Sequence, residues 1–172
     1  MAKRSAGLLM YRWAGDLLEV FLVHPGGPFW AKKDEGAWSI PKGEYSESDD
    51  PLDAAKREFE EETGIAPAGE LIQLSDIKQA GGKIVKAWAI EGDCDASKIR
   101  SNMFAMEWPP RSGKMTEFPE VDRGEWFSMD AARTKINKGQ VAFLDEFVTK
   151  VARARIAHFS QEGTRIRRDQ TS

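Results

Sequence analysis

GEYSESDDPLDAAKREFEEETGI, residues 43–65, is the stretch on which the reading of this chain turns. It begins with glycine and small polar residues and runs into Asp50-Pro51. There Asp50 can accept from the first free N–H groups of a helix, and Pro51 can take the first helical position. The spacing predicts a helix from Pro51 to Thr63, stopped by Gly64. At 100° per residue, Leu52, Ala55, Phe59 and the methyl of Thr63 fall on one packing stripe. Glu58, Glu61 and Glu62 share the neighbouring stripe at i, i+3 and i+4, where like charges cost about 0.2–0.5 kcal/mol per pair. Something must offset that cost. Ala54 projects into the same arc with almost no bulk, which leaves room beside the three carboxylates for a hydrated ion. A hard divalent cation suits such oxygen ligands, and magnesium takes one or two carboxylates together with substrate phosphates. The rival reading is a solvated acidic face. The helix already has one: Asp53/Arg57 and Lys56/Glu60 mix charge at i+4 on the outer side, and the unmixed trio lies apart from it.

With these residues in view, the segment resembles the box of the Nudix hydrolases, G-x5-E-x7-R-E-U-x-E-E-x-G-U, where U is a bulky apolar residue. Gly43 supplies the first glycine, Arg57-Glu58-Phe59 the R-E-U, Glu61-Glu62 the paired acids and Gly64-Ile65 the end. The family's first glutamate falls on Asp49, which keeps the charge and shortens the reach by one methylene. Looser similarity extends over roughly residues 5–157. The resemblance implies an α/β/α sandwich with a mixed sheet, the box helix and C-terminal helices. It also implies that the backbone carbonyl of Gly43 helps hold a metal.

Length and composition suit one domain, expected over residues 1–159, with a basic tail without regular structure over 160–172 carrying Arg165, Arg167 and Arg168. A net charge of −3 gives no support to a wholesale nucleic-acid binder. Cys94 is the single cysteine, so neither a disulfide nor a cysteine metal cage is expected. No apolar run approaches the ~18 residues that span a bilayer, and Tyr11, Arg12 and Asp16 interrupt the apolar start before any signal-peptide core. The expected location is the cytoplasm, with no membrane partner. The oligomeric state is left open.

From spacing alone the fold class is mixed α/β. Residues 5–13 and 17–24 form a hairpin about Ala14-Gly15-Asp16. Residues 25–36 form an irregular loop in which Trp30, near Lys32 and Lys33, either stacks a base or closes the core from outside. Residues 38–43 are a short strand that brings Lys42, expected at the substrate, up to the box. A second hairpin, 71–79 with 83–91, turns at Ala80-Gly81-Gly82. Lys83, Val85, Ala87 and Ala89 make one of its faces small and open, and Lys83 either reaches a phosphate or is solvated. Residues 104–108 are strand-like. The loop after them carries Arg111 and Lys114, which either hold the far end of a phosphate chain or are ordinary loop cations. Residues 129–136 and 141–157 read as helices. Relatives that cleave diadenosine polyphosphates place a glutamate six residues before a tryptophan. By that resemblance Glu120, six before Trp126, is a further metal ligand or the base, with a solvated loop acid as the rival.

Site chemistry sets the expected function. Divalent ions clustered by carboxylates neutralise a phosphoanhydride, orient it and lower the pKa of a bound water. Glu58, Glu61 and Glu62 are the expected metal ligands, with Mg2+ the cofactor and Mn2+ its alternative. Glu58 or Glu120 takes the proton, and Arg57 orients the carboxylates. The resemblance implies small-molecule substrates built as a nucleoside diphosphate linked to another group. A dinucleoside polyphosphate or nucleoside triphosphate is the leading expectation. The alternatives are ADP-ribose, the 5′ end of RNA, or a nucleotide sensor without catalysis.

Overall fold

The computed structural model describes residues 2–169. Strands β1 (Arg4–Ala14), β2 (Leu17–Pro25) and β3 (Lys42–Glu44) precede helix α1 (Pro51–Thr63). Strands β4 (Leu71–Gln73), β5 (Ile77–Lys78), β6 (Ile84–Glu91), β7 (Met103–Glu107), β8 (Met115–Pro119) and β9 (Val121–Ser128) follow, and helices α2 (Met129–Lys135) and α3 (Val141–Asp169) come last. One sheet runs β4-β6-β1-β2-β9, with β3 added to β1 and β5 to β6. The β1–β6 pair is parallel and the other pairs are antiparallel, so the sheet is mixed.

Period-2 alternation along β1 sorts the core into two layers. Ala6, Leu8 and Met10 pack with Ala54, Ala55 and Phe59 of α1. Leu9 and Tyr11 point the other way, onto Phe143, Leu144 and Phe147 of α3. The result is the expected helix–sheet–helix sandwich. The first hairpin also matches: residues 11–14 pair with 17–20 about Gly15, whose φ of 64° suits glycine.

Several local expectations are corrected. The small face of β6 is not open, because Val85, Ala87 and Ala89 are buried under α3. The partner of β6 is split into β4 and β5, with both pieces on the same neighbour. The strand expected over 38–43 is regular only in β3; Trp38 and Ser39 make single bridges to Ile136 and Val23. Pro41 lies between the two parts and has no N–H for a ladder. Residues 115–119, for which the sequence predicts no element, form β8 and close a separate two-stranded ribbon with β7. Finally, α3 continues through 161–169, where no regular structure was expected. Its exposed end has local support: His158 and Glu162 pair at i, i+4 (3.2 Å), and Thr164 Oγ1 donates to the Ser160 carbonyl (2.9 Å). The division expected between 159 and 160 thus falls within one helix, and residues 170–172 lie outside the described residues.

Candidate active site

Helix α1 presents its acids as it does because both ends and one side are fixed. Asp50 Oδ1 accepts from the Asp53 N–H (3.0 Å), and Gly64, at φ 75°, donates its N–H to the Glu60 carbonyl (2.7 Å). Phe59 is fully buried against β1 and β2, and Thr63 Oγ1 donates back to the Phe59 carbonyl (2.6 Å). With that stripe locked into the core, Glu58 and Glu62 turn toward β3. The Lys42 N–H donates to Glu62 Oε2 (3.2 Å). Gly43 lies so close to Glu58 that a β-carbon there would stand 2.0 Å from its carboxyl carbon and 2.1 and 2.5 Å from its oxygens. The first glycine of the box is therefore a notch for the Glu58 carboxylate.

The acids form a mutually repelling group. Burial, followed by the charge of Glu61, raises Glu58; the same two causes raise Glu120. Glu62 is pushed up to about 8, chiefly by burial, with Glu58 and Glu120 adding to the rise and Lys42 opposing it. Arg57 sits between two of the acids, 3.6 Å from Glu58 Oε1 and 4.0 Å from Glu61 Oε1. Among the described residues, no three His, Cys, Asp or Glu side chains close into a metal cage. The donor set still fits a hard divalent ion: it is all oxygen, crowded with like charge, and cradled where Gly43 leaves space. Asp49 does not face this group, because its Oδ2 accepts from the N–H (2.9 Å) and hydroxyl (3.0 Å) of Ser46 within the loop.

Glu62 and Glu120 line a cleft of about 230 Å3 with Lys42, Trp30, Ser39, Gln79, Asn137 and Gln140. Lys42 is lowered by burial and then by the neighbouring charge of Lys83, which stands 3.7 Å from Glu44. The cleft lining thus holds two carboxylates and one lysine, Lys42, while Lys83 stands outside the lining beside Glu44. Trp30 does not close the core; it is 37% exposed, lines the cleft, and carries the Lys33 ammonium 4.9 Å above its ring. Glu61 does not line this cleft; it lies in a separate dent with Arg57, Arg100 and Asn102. Arg111 and Lys114 lie on the exposed turn between β7 and β8 and are not brought into the cleft wall.

Sequence reasoning missed the polar floor. Gln140 is fully buried; its Oε1 accepts from the Ile40 N–H (3.1 Å) and its Nε2 donates to Ser39 Oγ (3.0 Å). These partners lie about a hundred positions away, so only the folded chain reveals them. It also missed His24, fully buried with Nδ1 2.8 Å from Asp122 Oδ1 and Nε2 donating to the Lys33 carbonyl (2.6 Å). The available signal was a histidine at the end of an apolar strand, just before the loop.

The comparisons agree with this geometry. A family model described as NUDIX domain matches residues 1–147. The chain is 30% identical over 149 residues to an RNA pyrophosphohydrolase of Bartonella henselae, covering 74% of this chain and 77% of that protein. It is 32% identical over 147 residues to an RNA pyrophosphohydrolase of Brucella anthropi, covering 75% and 72%. In fold it is similar to the crystal structure of a C. elegans Ap4A hydrolase binary complex, at a TM-score of 0.60 and 22% identity over 86% of this chain and 98% of that one. No helix among the described residues is long and apolar enough to cross a membrane. A box whose Glu58 is seated against its first glycine, on a sandwich whose residues 1–147 match the family model, thus leads to one conclusion: the chain belongs to the NUDIX domain family and is a hydrolase of phosphoanhydrides.

Proposed function

We propose that this enzyme uses a divalent metal, magnesium or in its place manganese, to cleave the phosphate chain of a dinucleoside polyphosphate or a nucleoside triphosphate. The observation that carries the reading is the charge makeup of the cleft, whose lining joins Glu62 and Glu120 with Lys42, itself crowded by the charge of Lys83. Acids alone would repel a polyphosphate, and lysines alone would bind it without activating it. When bound, the metal draws charge from the phosphate oxygens and makes a water easier to deprotonate. Glu58, Glu61, Glu62 and Glu120, with the carbonyl of Gly43, would hold it. Arg57, between Glu58 and Glu61, keeps those two carboxylates turned inward.

Glu58 or Glu120 accepts the proton of the attacking water. The new P–O bond forms as the bridging P–O–P bond breaks, leaving two phosphorylated products. Lys42 and Lys83 offset charge on the phosphates, and Trp30 offers a ring face to the base. Arg111 and Lys114 would hold the far end of a longer chain. The relatives at 30 and 32% identity favour a second reading, in which the substrate is the triphosphorylated 5′ end of an RNA. A single cysteine and soluble small-molecule substrates suit the cytoplasm. The test is a panel of dinucleoside polyphosphates, nucleoside triphosphates, ADP-ribose and triphosphorylated RNA, with magnesium or manganese and chromatographic separation of products. Turnover of none of them would overturn the proposal.

A further inference from the structure

The cleft is too small for what it is proposed to cleave. Pockets that enclose a drug-sized ligand measure about 300–1,000 Å3, and this one is about 230 Å3. It can hold one base with part of the phosphate chain, so anything attached beyond those phosphates must rest on the surface outside. Next in sequence to the lining residue Trp30, that surface carries an aromatic pair. Phe29, next to Trp30, is 60% exposed, and its ring stands edge-on to Trp108 with centroids 5.5 Å apart at 82°. Trp108 ends the strand side of the turn that carries Arg111 and Lys114, and its N–H donates to the Lys114 carbonyl (2.9 Å).

This surface is also held in place. The Gly26 N–H donates to the Glu120 carbonyl (3.0 Å), and a β-carbon on Gly26 would stand 1.9 Å from the Pro119 carbonyl oxygen. One on Gly27 would stand 3.0 Å from the ring of Phe104. The loop is thus pressed onto the β7–β8 ribbon, and glycine permits the approach. At its other end, His24 donates to the Lys33 carbonyl while facing Asp122, and Trp38 Nε1 donates to Asp34 Oδ1 (2.8 Å). An exposed ring fixed at both ends of its loop loses little freedom when a ligand stacks on it, which favours binding.

Building on the nucleotide-hydrolase reading above, we propose that Phe29 and Trp108 form an outer subsite for a second nucleobase, joined to the first through the phosphates held in the cleft. Two substrates carry such a base: a dinucleoside polyphosphate, and an RNA whose next nucleotide follows the 5′ end. Arg111 and Lys114 lie on the turn that follows Trp108, and in this subsite they would meet phosphate between the two bases.

The experiment compares kcat/KM with magnesium for ATP, diadenosine tetraphosphate and a 5′-triphosphorylated dinucleotide in the wild type, Phe29→Ala and Phe29→Tyr. Stacking on one aromatic ring corresponds to about 5- to 150-fold in affinity. Phe29→Ala should therefore lower the ratio of two-base to ATP turnover by a factor in that range through KM, and Phe29→Tyr should restore it. Whichever two-base substrate responds identifies the source of the base. Tryptophan fluorescence titrated with the same ligands in EDTA reads the same discrimination without turnover. An equal effect of Phe29→Ala on all three substrates, or no effect on either two-base substrate, overturns the subsite while leaving the hydrolase reading intact. Failure of the wild type to turn over any of the three overturns the reading on which the subsite rests.

Discussion

Gly43→Ala separates the site from the scaffold more sharply than removing any acid. A β-carbon at this position would meet the Glu58 carboxylate at 2.0–2.5 Å, where ordinary contact begins at 3.4 Å, so the carboxylate must retreat by more than about 1 Å. The obstacle is the far end of a flexible side chain, and Gly43 does not hold a positive φ, so the backbone can accept alanine. In such a setting the loss of glycine's freedom in the unfolded chain even favours folding by about 0.4–1 kcal/mol, which offsets the displaced carboxylate. A misplacement of about 1 Å in a catalytic constellation costs about 10²-fold in rate. The expectation is a melting temperature near that of the wild type with magnesium-dependent product release reduced about 10²-fold. Gly7→Ala is the control. Its β-carbon would meet the Pro41 carbonyl oxygen at 2.5 Å and Lys42 Cβ at 2.7 Å, which cannot swing away, and overpacking of this kind costs about 1–3 kcal/mol of stability. Adding Glu58→Asp to Gly43→Ala shortens the displaced side chain by about 1.5 Å, and the double variant should be less impaired than the product of the two single losses. Thermal unfolding and initial-rate assays of the wild type and the four variants, Glu58→Asp alone included, suffice. Wild-type rates in Gly43→Ala would show that Glu58 does not need its notch, and the reading of the glycine would fail.

Other outcomes follow from the same geometry. Glu61→Gln and Glu62→Gln should each cut magnesium-dependent turnover by orders of magnitude in a folded protein; turnover at the wild-type rate would refute their assignment. Metal-free protein should lose stability as pH rises from about 4.5 to about 8. Glu62 is pushed up to about 8 by burial, so over that window the folded chain keeps a proton that the unfolded chain has released. Glu62→Gln should flatten this slope in thermal melts taken in EDTA, and an unchanged slope would assign it to other groups. Arg111→Ala should raise KM more for substrates with longer phosphate chains, and an equal effect on short and long chains would count against its role. The Cys94 thiol is pushed up to about 11 by burial, so alkylation by iodoacetamide at pH 8 should be slower than for free cysteine until the protein is unfolded.

What the sequence determined by itself was local and periodic. The α1 helix with its cap, stop and packing stripe and the hairpin about Gly15 follow from short-range spacing, because 3.6- and 2-residue periods decide which side chains are buried, while the sandwich of layers was expected only through the resemblance to the family. The box pattern likewise placed Glu58, Glu61 and Glu62 on one side of a helix before any fold was known. Tertiary structure decided everything that depends on distant chain segments meeting. It covered the small face of β6 with α3, carried Glu120 to the cleft, and made Gly43 a notch for Glu58. It also seated Gln140 under residues 39 and 40 and tied the 25–37 loop down through His24. Arg111 and Lys114 show the limit from the other side: the sequence marks them as cations on a turn, but only the packing of the ribbon decides how far they stand from the cleft. The reason is physical. Helix and strand periods are set by bonds within a few residues, whereas a site is made where the sheet and the core bring together residues with no neighbourhood in sequence.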